Sequence, residues 1–413
     1  MLGDIVSMGF DIAAGQTLAL ISWCLAAAWL WKGMAALRGM PHLPDLSRID
    51  PGAIPSIPSH DAPDLTVVIP ARDEEATIEN CLRSLLASCG VRLQIIAVDD
   101  RSTDHTGQLM DTIAAEAWGG NCPHQIEVVH ITDLQPSWLG KPHALATGAQ
   151  RASAPWILFT DGDVIFAPQA LSLALRAALA LRADHLVLVP TLIFKSIGER
   201  AVLSVMQVLA LWVVRLWRVS DPRAKDSLGA GGFNMIRSDV YRKLGGFEAL
   251  RMEILEDVFL GIRVKRAGFA QSIILGPDLV RVRWIHGAFA VIRLVEKNGF
   301  AVTRFRTGLH LLACLSFVLH AILPLAAIAS GGWTAVTGLL AYAGIIIAYH
   351  ANRRVSRVPS WYAITFAPAA LLIAWAFLRS MLLAHVRKGV VWRGTLYSLD
   401  ALRRAASATA KQR

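Results

Sequence analysis

A chain of 413 residues has room for one catalytic domain of about 250 residues and for further segments besides. With 54% hydrophobic and only 17% charged residues and a mean hydropathy of +0.46, it is no ordinary soluble globular protein, and part of it belongs in lipid. The net charge of +10 includes basic clusters beside apolar stretches, which points to anionic lipid and away from nucleic acid. Cys24, Cys81, Cys89, Cys122 and Cys314 form no CxxC pair, which argues against a structural zinc site and a disulfide scaffold.

Residues 1 to 40 contain the uncharged run "IAAGQTLALISWCLAAAWLW" (12 to 31), long enough to cross a bilayer as one helix. Asp4 and Asp11 precede it, and Lys32 and Arg38 follow. This is the reverse of a cleaved signal peptide, so an uncleaved anchor is expected. With the basic flank inside, the middle of the chain lies in the cytoplasm, and the protein is expected in the cell inner membrane with several spans. Residues 41 to 63 form a Pro-rich linker, expected to be irregular.

From 64 to 300, short β-type runs alternate with helical ones. "LTVVI" (65 to 69) reads as a buried strand, Ile78, Cys81, Leu82, Leu85 and Leu86 fall on one helical face, and "LQIIAV" (93 to 98) is the next strand. "IEVVH" (126 to 130), a helix around 142 to 151, "WILFT" (156 to 160) and "HLVLVP" (185 to 190) continue the alternation. This predicts an α/β domain with a mostly parallel, doubly wound sheet. Its acids fall at the carboxyl ends of strands: Asp73 and Glu74 after the first, Asp99 and Asp100 closing the second, Asp161 and Asp163 after 156 to 160. That edge is where open α/β sheets bind ligands, although Asp also caps helices and shapes turns. Two carboxylates flanked by "ILFT" and "VIF" need a cation or a ligand to offset their charge. The segment 197 to 219 is read either as a membrane-surface helix with Trp212 and Trp217 at headgroup level or as a buried core helix.

Residues 301 to 413 form a C-terminal membrane region. Thr307 to Asn352 holds no Asp, Glu, Lys or Arg and divides at Ser330-Gly331-Gly332 into spans near 307 to 329 and 333 to 350. A third uncharged stretch, 358 to 378, contains Pro359 and Pro368. A full span there would export a tail holding Arg379, Arg387, Lys388, Arg393, Arg403 and Arg404, so it is read as re-entrant or interfacial.

Six motifs in order resemble the inverting, nucleotide-sugar-dependent glycosyltransferases of family 2: "VVIPARDEE" (67 to 75), "VDDRSTD" (98 to 104), "WLGKPHAL" (138 to 145), "FTDGDV" (159 to 164), "GAGGFNMIRSDVYRKLGGFE" (229 to 248) and "LEDVFLGIRVKRAG" (255 to 268). The resemblance covers roughly 64 to 300 and implies a GT-A fold. Within the family the chain is most similar to membrane-anchored members that glycosylate lipids, such as ceramide glucosyltransferases and the carotenoid- and hopanoid-associated enzymes. By resemblance, Pro70, Asp73, Glu74, Asp99, Asp100, Lys141 and Asp161 bind the donor, with Asp100 accepting from the uracil N3–H. Asp163, with Asp161, would hold Mg²⁺ or Mn²⁺, which suits hard oxygen ligands. Lys141 would face the diphosphate, Asp257 would take the proton from the acceptor hydroxyl, and Glu256 would support it.

The implied reaction moves a hexose from a UDP-sugar to a lipid or isoprenoid hydroxyl. A processive polysaccharide synthase, a polyprenyl-phosphate glycosyltransferase and a catalytically silent membrane scaffold are the alternatives. "RVRWIHG" (281 to 287) lacks the glutamine of the Gln-x-x-Arg-Trp motif of processive synthases, which argues against a polymer. His143 and Phe247 stand where the family suggests Trp and His, and Asp73 replaces a more usual Asn. The tail "VVWRGTLYS" (390 to 398) resembles a basic-aromatic motif of the same subgroup and suits a membrane interface, with no role assigned.

Overall fold

The structure, a computed structural model, describes residues 2–48, 57, 62–119 and 122–411. Most of the expected Pro-rich linker, residues 49–56 and 58–61, lies outside the described residues. The chain divides into two compact units, each discontinuous in sequence. One takes the N-terminal residues to His42, Phe194–Val213 and Ile285–Leu382. The other takes Leu43–Ile193, Val214–Trp284 and the chain from Leu383 onward.

The second unit is built on strands β1 (Leu65–Ala71), β2 (Leu93–Asp100), β3 (Gln125–Ile131), β4 (Trp156–Phe159), β5 (Val164–Phe166), β6 (His185–Val189), β7 (Thr191–Leu192), β8 (Asn234–Arg237), β9 (Gln271–Leu275) and β10 (Val280–Val282). Seven of them form one sheet in the order β3-β2-β1-β4-β8-β6-β9, and β5, β10 and β7 form a smaller one. In the large sheet β3, β2, β1 and β4 are parallel, as are β6 and β9, while β8 runs antiparallel between β4 and β6. The expected α/β class with a mostly parallel sheet is what the chain forms.

The strands read as unbroken apolar runs because the sheet is covered on both faces. Val67 and Ile69 pack in one buried cluster with Leu82, Leu85 and Met110, whereas Val68, Ile96 and Val98 share the other with Ala144, Leu145 and Val240. Helix Ile78–Leu86 follows β1 and helix Gly140–Ala149 follows β3, as the periodicity predicts. Pro70 is tolerated in a central strand because β1 pairs with β4 only as far as Val68, opposite Phe159, so the missing N–H lies beyond the ladder.

The other unit is helical. Among the described residues, four helices are long and apolar enough to cross a membrane: Ala19–His42, Thr307–Ala329, Gly332–Ser356 and Ser360–Val386. The first belongs to the helix Leu2–Gly39, which contains the expected span. Pro359 precedes the last of them and Pro368 lies in the first turn of helix Phe366–Val386, where no intrahelical N–H bond is lost. The prolines therefore start this helix and do not interrupt it. Trp29 holds the unit together edge-on to Trp212 at 5.0 Å and to Phe366 at 5.4 Å between ring centroids.

The segment 197 to 219 is not one helix, which corrects the extent assumed in both readings given for it. Helix Ile197–Ala210 ends well before Trp217, which lies in a separate 3₁₀ turn, Leu216–Arg218. The backbone N–H of Arg215 and its guanidinium both bond Asp226, at 2.8, 3.2 and 2.7 Å. These bonds hold the chain out of the helical path.

Candidate active site

Because β2, β1 and β4 are parallel neighbours, their carboxyl ends lie along one edge of the sheet, and each delivers acids there. Phe159 closes β4, and Asp161 and Asp163 follow in the turn to β5. Asp73 follows β1 with φ of 54°, and Arg101 follows β2 with φ of 59°.

The focus of the edge is Lys141, the second residue of helix Gly140–Ala149. Its Nζ lies 2.6 Å from Asp161 Oδ1 and 2.8 Å from Glu256 Oε1. Burial opposes the charge of this ammonium, but Asp161, Glu256 and Asp257 outweigh it, and the lysine is held above its ordinary range. Residues 141, 161 and 256, distant in sequence, are thus joined by one cation. Glu256 is 2% exposed and opens helix Glu256–Arg266. Asp257, the next residue, is partly exposed, with its Oδ1 accepting from the Val258 N–H at 2.8 Å. Lys141, Phe159, Asp161, Gly231, Glu256 and Asp257 line one small cavity. A much larger cleft, lined by Trp138, Leu250 to Glu253 and the chain near Tyr397, includes none of these acids.

The loop 229 to 234 supports this arrangement from behind. A Cβ on Gly229 would lie 1.8 Å from the Asp257 carbonyl oxygen, and one on Gly231 would lie 2.6 Å from Asp161 Oδ2. Only glycine lets this loop approach both. Asn234, at the start of β8, donates from Nδ2 to the Asp257 carbonyl at 3.3 Å, and its Oδ1 meets His185 Nε2. Burial lowers His185 to about 4, so the ring is neutral.

Asp163 lies beside the focus. Its Oδ1 is buried and has no hydrogen-bond partner among the described residues. Burial first, then the charges of Asp161 and Glu74, push its carboxyl up to about 7. No group of three or more His, Cys, Asp and Glu suited to enclose a metal ion is present among the described residues. An orphaned carboxylate oxygen of this kind fits a hard divalent ion whose other positions are filled by phosphate oxygens and water.

The remaining acids organise the loop 101 to 106. Asp73 Oδ1 accepts from the Thr103 N–H at 2.7 Å, and Asp99 Oδ1 from the Ser102 N–H at 3.1 Å. Asp99 Oδ2 stands 3.0 Å from His130 Nδ1, a contact that, with Asp111 on Nε2, raises the imidazole above its usual range despite burial. Asp100 is 1% exposed and holds Arg101 with both oxygens, at 2.8 and 3.1 Å. Glu74 accepts from Thr77 Oγ1 at 3.1 Å and from Arg393 Nη2 at 3.0 Å. Phe247 is buried and packs edge-on to Phe159 at 4.8 Å, and His143 packs on Trp138 at 5.5 Å.

Sequence reasoning missed Asn234, Arg393 and Tyr397. The first lay inside a quoted motif without a role. The other two belong to a C-terminal hairpin, β11 (Gly389–Trp392) and β12 (Thr395–Ser398), in which the Tyr397 hydroxyl accepts from the Gly140 N–H at 3.2 Å.

Residues 66–259 match the family described as "Glycosyl transferase family 2". The 4,4'-diaponeurosporenoate glycosyltransferase of Staphylococcus aureus (strain USA300) is 26% identical over 229 residues, 54% of this chain and 57% of that protein. The match thus spans little more than half the length of this relative. Among solved structures, a mannosyltransferase from Pyrobaculum calidifontis in complex with GDP-Man and Mn²⁺ is 19% identical with a TM-score of 0.48, covering 90% of this chain and 98% of that chain. S. aureus TarS is 14% identical with a TM-score of 0.40, covering 75% of this chain and 54% of that chain.

Proposed function

We propose, for a chain that carries a family 2 glycosyl transferase domain over residues 66–259, that it transfers a hexose from a UDP-sugar to a lipid or isoprenoid hydroxyl, with inversion at the anomeric carbon and in a metal-dependent way. The observation that carries this reading is the Lys141 bridge between Asp161 and Glu256, which brings the "DGD" turn and the "ED" pair to one point.

Asp163, with Asp161, would hold Mg²⁺ or Mn²⁺, which when bound would supply charge stabilisation for the leaving diphosphate. Lys141 adds a second positive charge on the same side. Asp257 accepts the proton from the acceptor hydroxyl as its oxygen forms the new bond to the anomeric carbon and the sugar–phosphate bond breaks. Glu256 keeps Lys141 charged and in place. Pro70, Asp73, Glu74, Asp99 and Asp100 border the nucleoside, and Asp100 accepts from the base N–H once Arg101 turns aside.

Apolar helices of spanning length support a lipid acceptor and a multi-pass position in the inner membrane with the site at the cytoplasmic face, and because Arg393 reaches Glu74 the tail lies on that face too, so an even number of the three apolar helices after residue 306 crosses. A relative named for an isoprenoid carboxylate favours a second reading, in which the acceptor is already ionised and Asp257 is not needed as a base. The test is UDP release from UDP-sugars by the purified chain in lipid, with a total lipid extract as acceptor. The reading expects release that EDTA suppresses, and EDTA-resistant release removes the metal from it.

A further inference from the structure

The tail hairpin β11–β12 is tied to the candidate site at both of its working ends. Its turn is made by Arg393 and Gly394, whose φ angles of 47° and 76° are both left-handed, as a two-residue hairpin turn of the tightest kind requires. Asn or Gly takes the first of these positions most readily, so an arginine there is held against its backbone preference. Its guanidinium points to Glu74, with Nη2 3.0 Å from Oε1. Nη1 is buried and has no acceptor among the described residues. Four residues on, Tyr397 accepts from the first N–H of the helix that carries Lys141.

A salt bridge that merely pinned the tail would explain Nη2 and leave Nη1 unexplained. The pair is partly exposed, with 27% of the arginine and 28% of the glutamate side chain accessible, and such pairs contribute little to stability. A buried guanidinium N–H without an acceptor is unfavourable, and its planar fork matches the oxygens of a phosphate. Glu74, the residue it touches, follows β1 on the same sheet edge to which the neighbouring parallel strand β4 delivers Asp161. Arg393 is therefore aimed at that edge.

We propose that Arg393 is a direct ligand of the donor's diphosphate, presented by the C-terminal hairpin, and that it exchanges Glu74 for phosphate oxygens when the nucleotide binds. The inference rests on the nucleotide-sugar reading above and adds a second cation, beside Lys141, from a part of the chain more than two hundred residues away in sequence.

The experiment is equilibrium binding of UDP and of uridine, and of GDP and guanosine, to the full chain in lipid nanodiscs with Mn²⁺. Arg393→Ala weakens binding of the diphosphate that the wild type prefers by about tenfold or more and leaves its nucleoside within about twofold. Arg393→Lys keeps the charge and the Glu74 pair, and falls between. Equal loss of diphosphate and nucleoside, or no loss of either while the wild type binds, overturns the role of Arg393 alone. A wild type that binds neither diphosphate overturns the nucleotide-sugar reading, and this inference with it.

Discussion

Lys141 Nζ lies 2.8 Å from Glu256 Oε1, and Glu256 is almost fully buried, so the charge of each is offset by the other. Removing one member of such a pair takes away a charge that offsets the partner's buried charge. Lys141→Ala is expected to cost about 3 kcal/mol or more of stability, and addition of Glu256→Gln to recover part of the loss. Thermal unfolding of the single and double variants in detergent checks this. Equal stability of Lys141→Ala and wild type would mean that the bridge does not hold the two segments together.

The carboxyl of Asp163 titrates near 7, against an ordinary value of 3.8, because of burial first and then Asp161 and Glu74. The folded chain therefore holds this proton at pH values where the unfolded chain has lost it. The associated stabilisation is complete below about pH 4 and is lost as pH rises through about 7. Asp163→Asn, which cannot ionise, should gain melting temperature relative to wild type in EDTA as pH rises from 5 to 8. Mn²⁺ should raise the melting temperature of the wild type and not of the variant. An unchanged difference between pH 5 and 8 would count against the buried acid.

The approach of Gly229 to the Asp257 carbonyl is between backbones, so no rotamer change can admit a Cβ. Gly229→Ala is expected to displace the start of helix Glu256–Arg266, to lower stability by about 1–3 kcal/mol and to lower turnover more than the loss of folded protein accounts for. Gly119→Ala, where a Cβ meets nothing within 4 Å, is the neutral control. Turnover corrected for folded fraction separates the two.

The α/β unit was legible because its strands are buried on both faces and its acids sit at strand ends, two signals that a sequence carries locally. Asp161, Asp163, Lys141 and Glu256 could be read from their motifs, and the structure brings them together. Asn234 was not, since β8 is only four residues long and its antiparallel direction is fixed by β4 and β6 on either side. The bond between Arg393 and Glu74 joins positions 319 apart, and no periodicity connects them. Asp73, Asp99 and Asp100 illustrate the opposite case: their residue types suit both loop bracing and nucleotide binding, and the bonds they make here brace the loop 101 to 106. The end of helix Ile197–Ala210 escaped because tertiary bonds to Asp226 overrule an apolar run with no breaker in it.

Transfer of sugar to a lipid, with Asp257 taking the acceptor proton, is tested most directly by the partition of label between organic and aqueous phases after incubating wild type and Asp257→Asn with labelled UDP-sugars, Mn²⁺ and a total lipid extract. Label is expected in the organic phase with wild type, none above background with the variant, and undiminished UDP binding by both. Full organic-phase labelling by Asp257→Asn would contradict the base and favour an acceptor already ionised, and label in a large aqueous product would contradict the lipid acceptor itself.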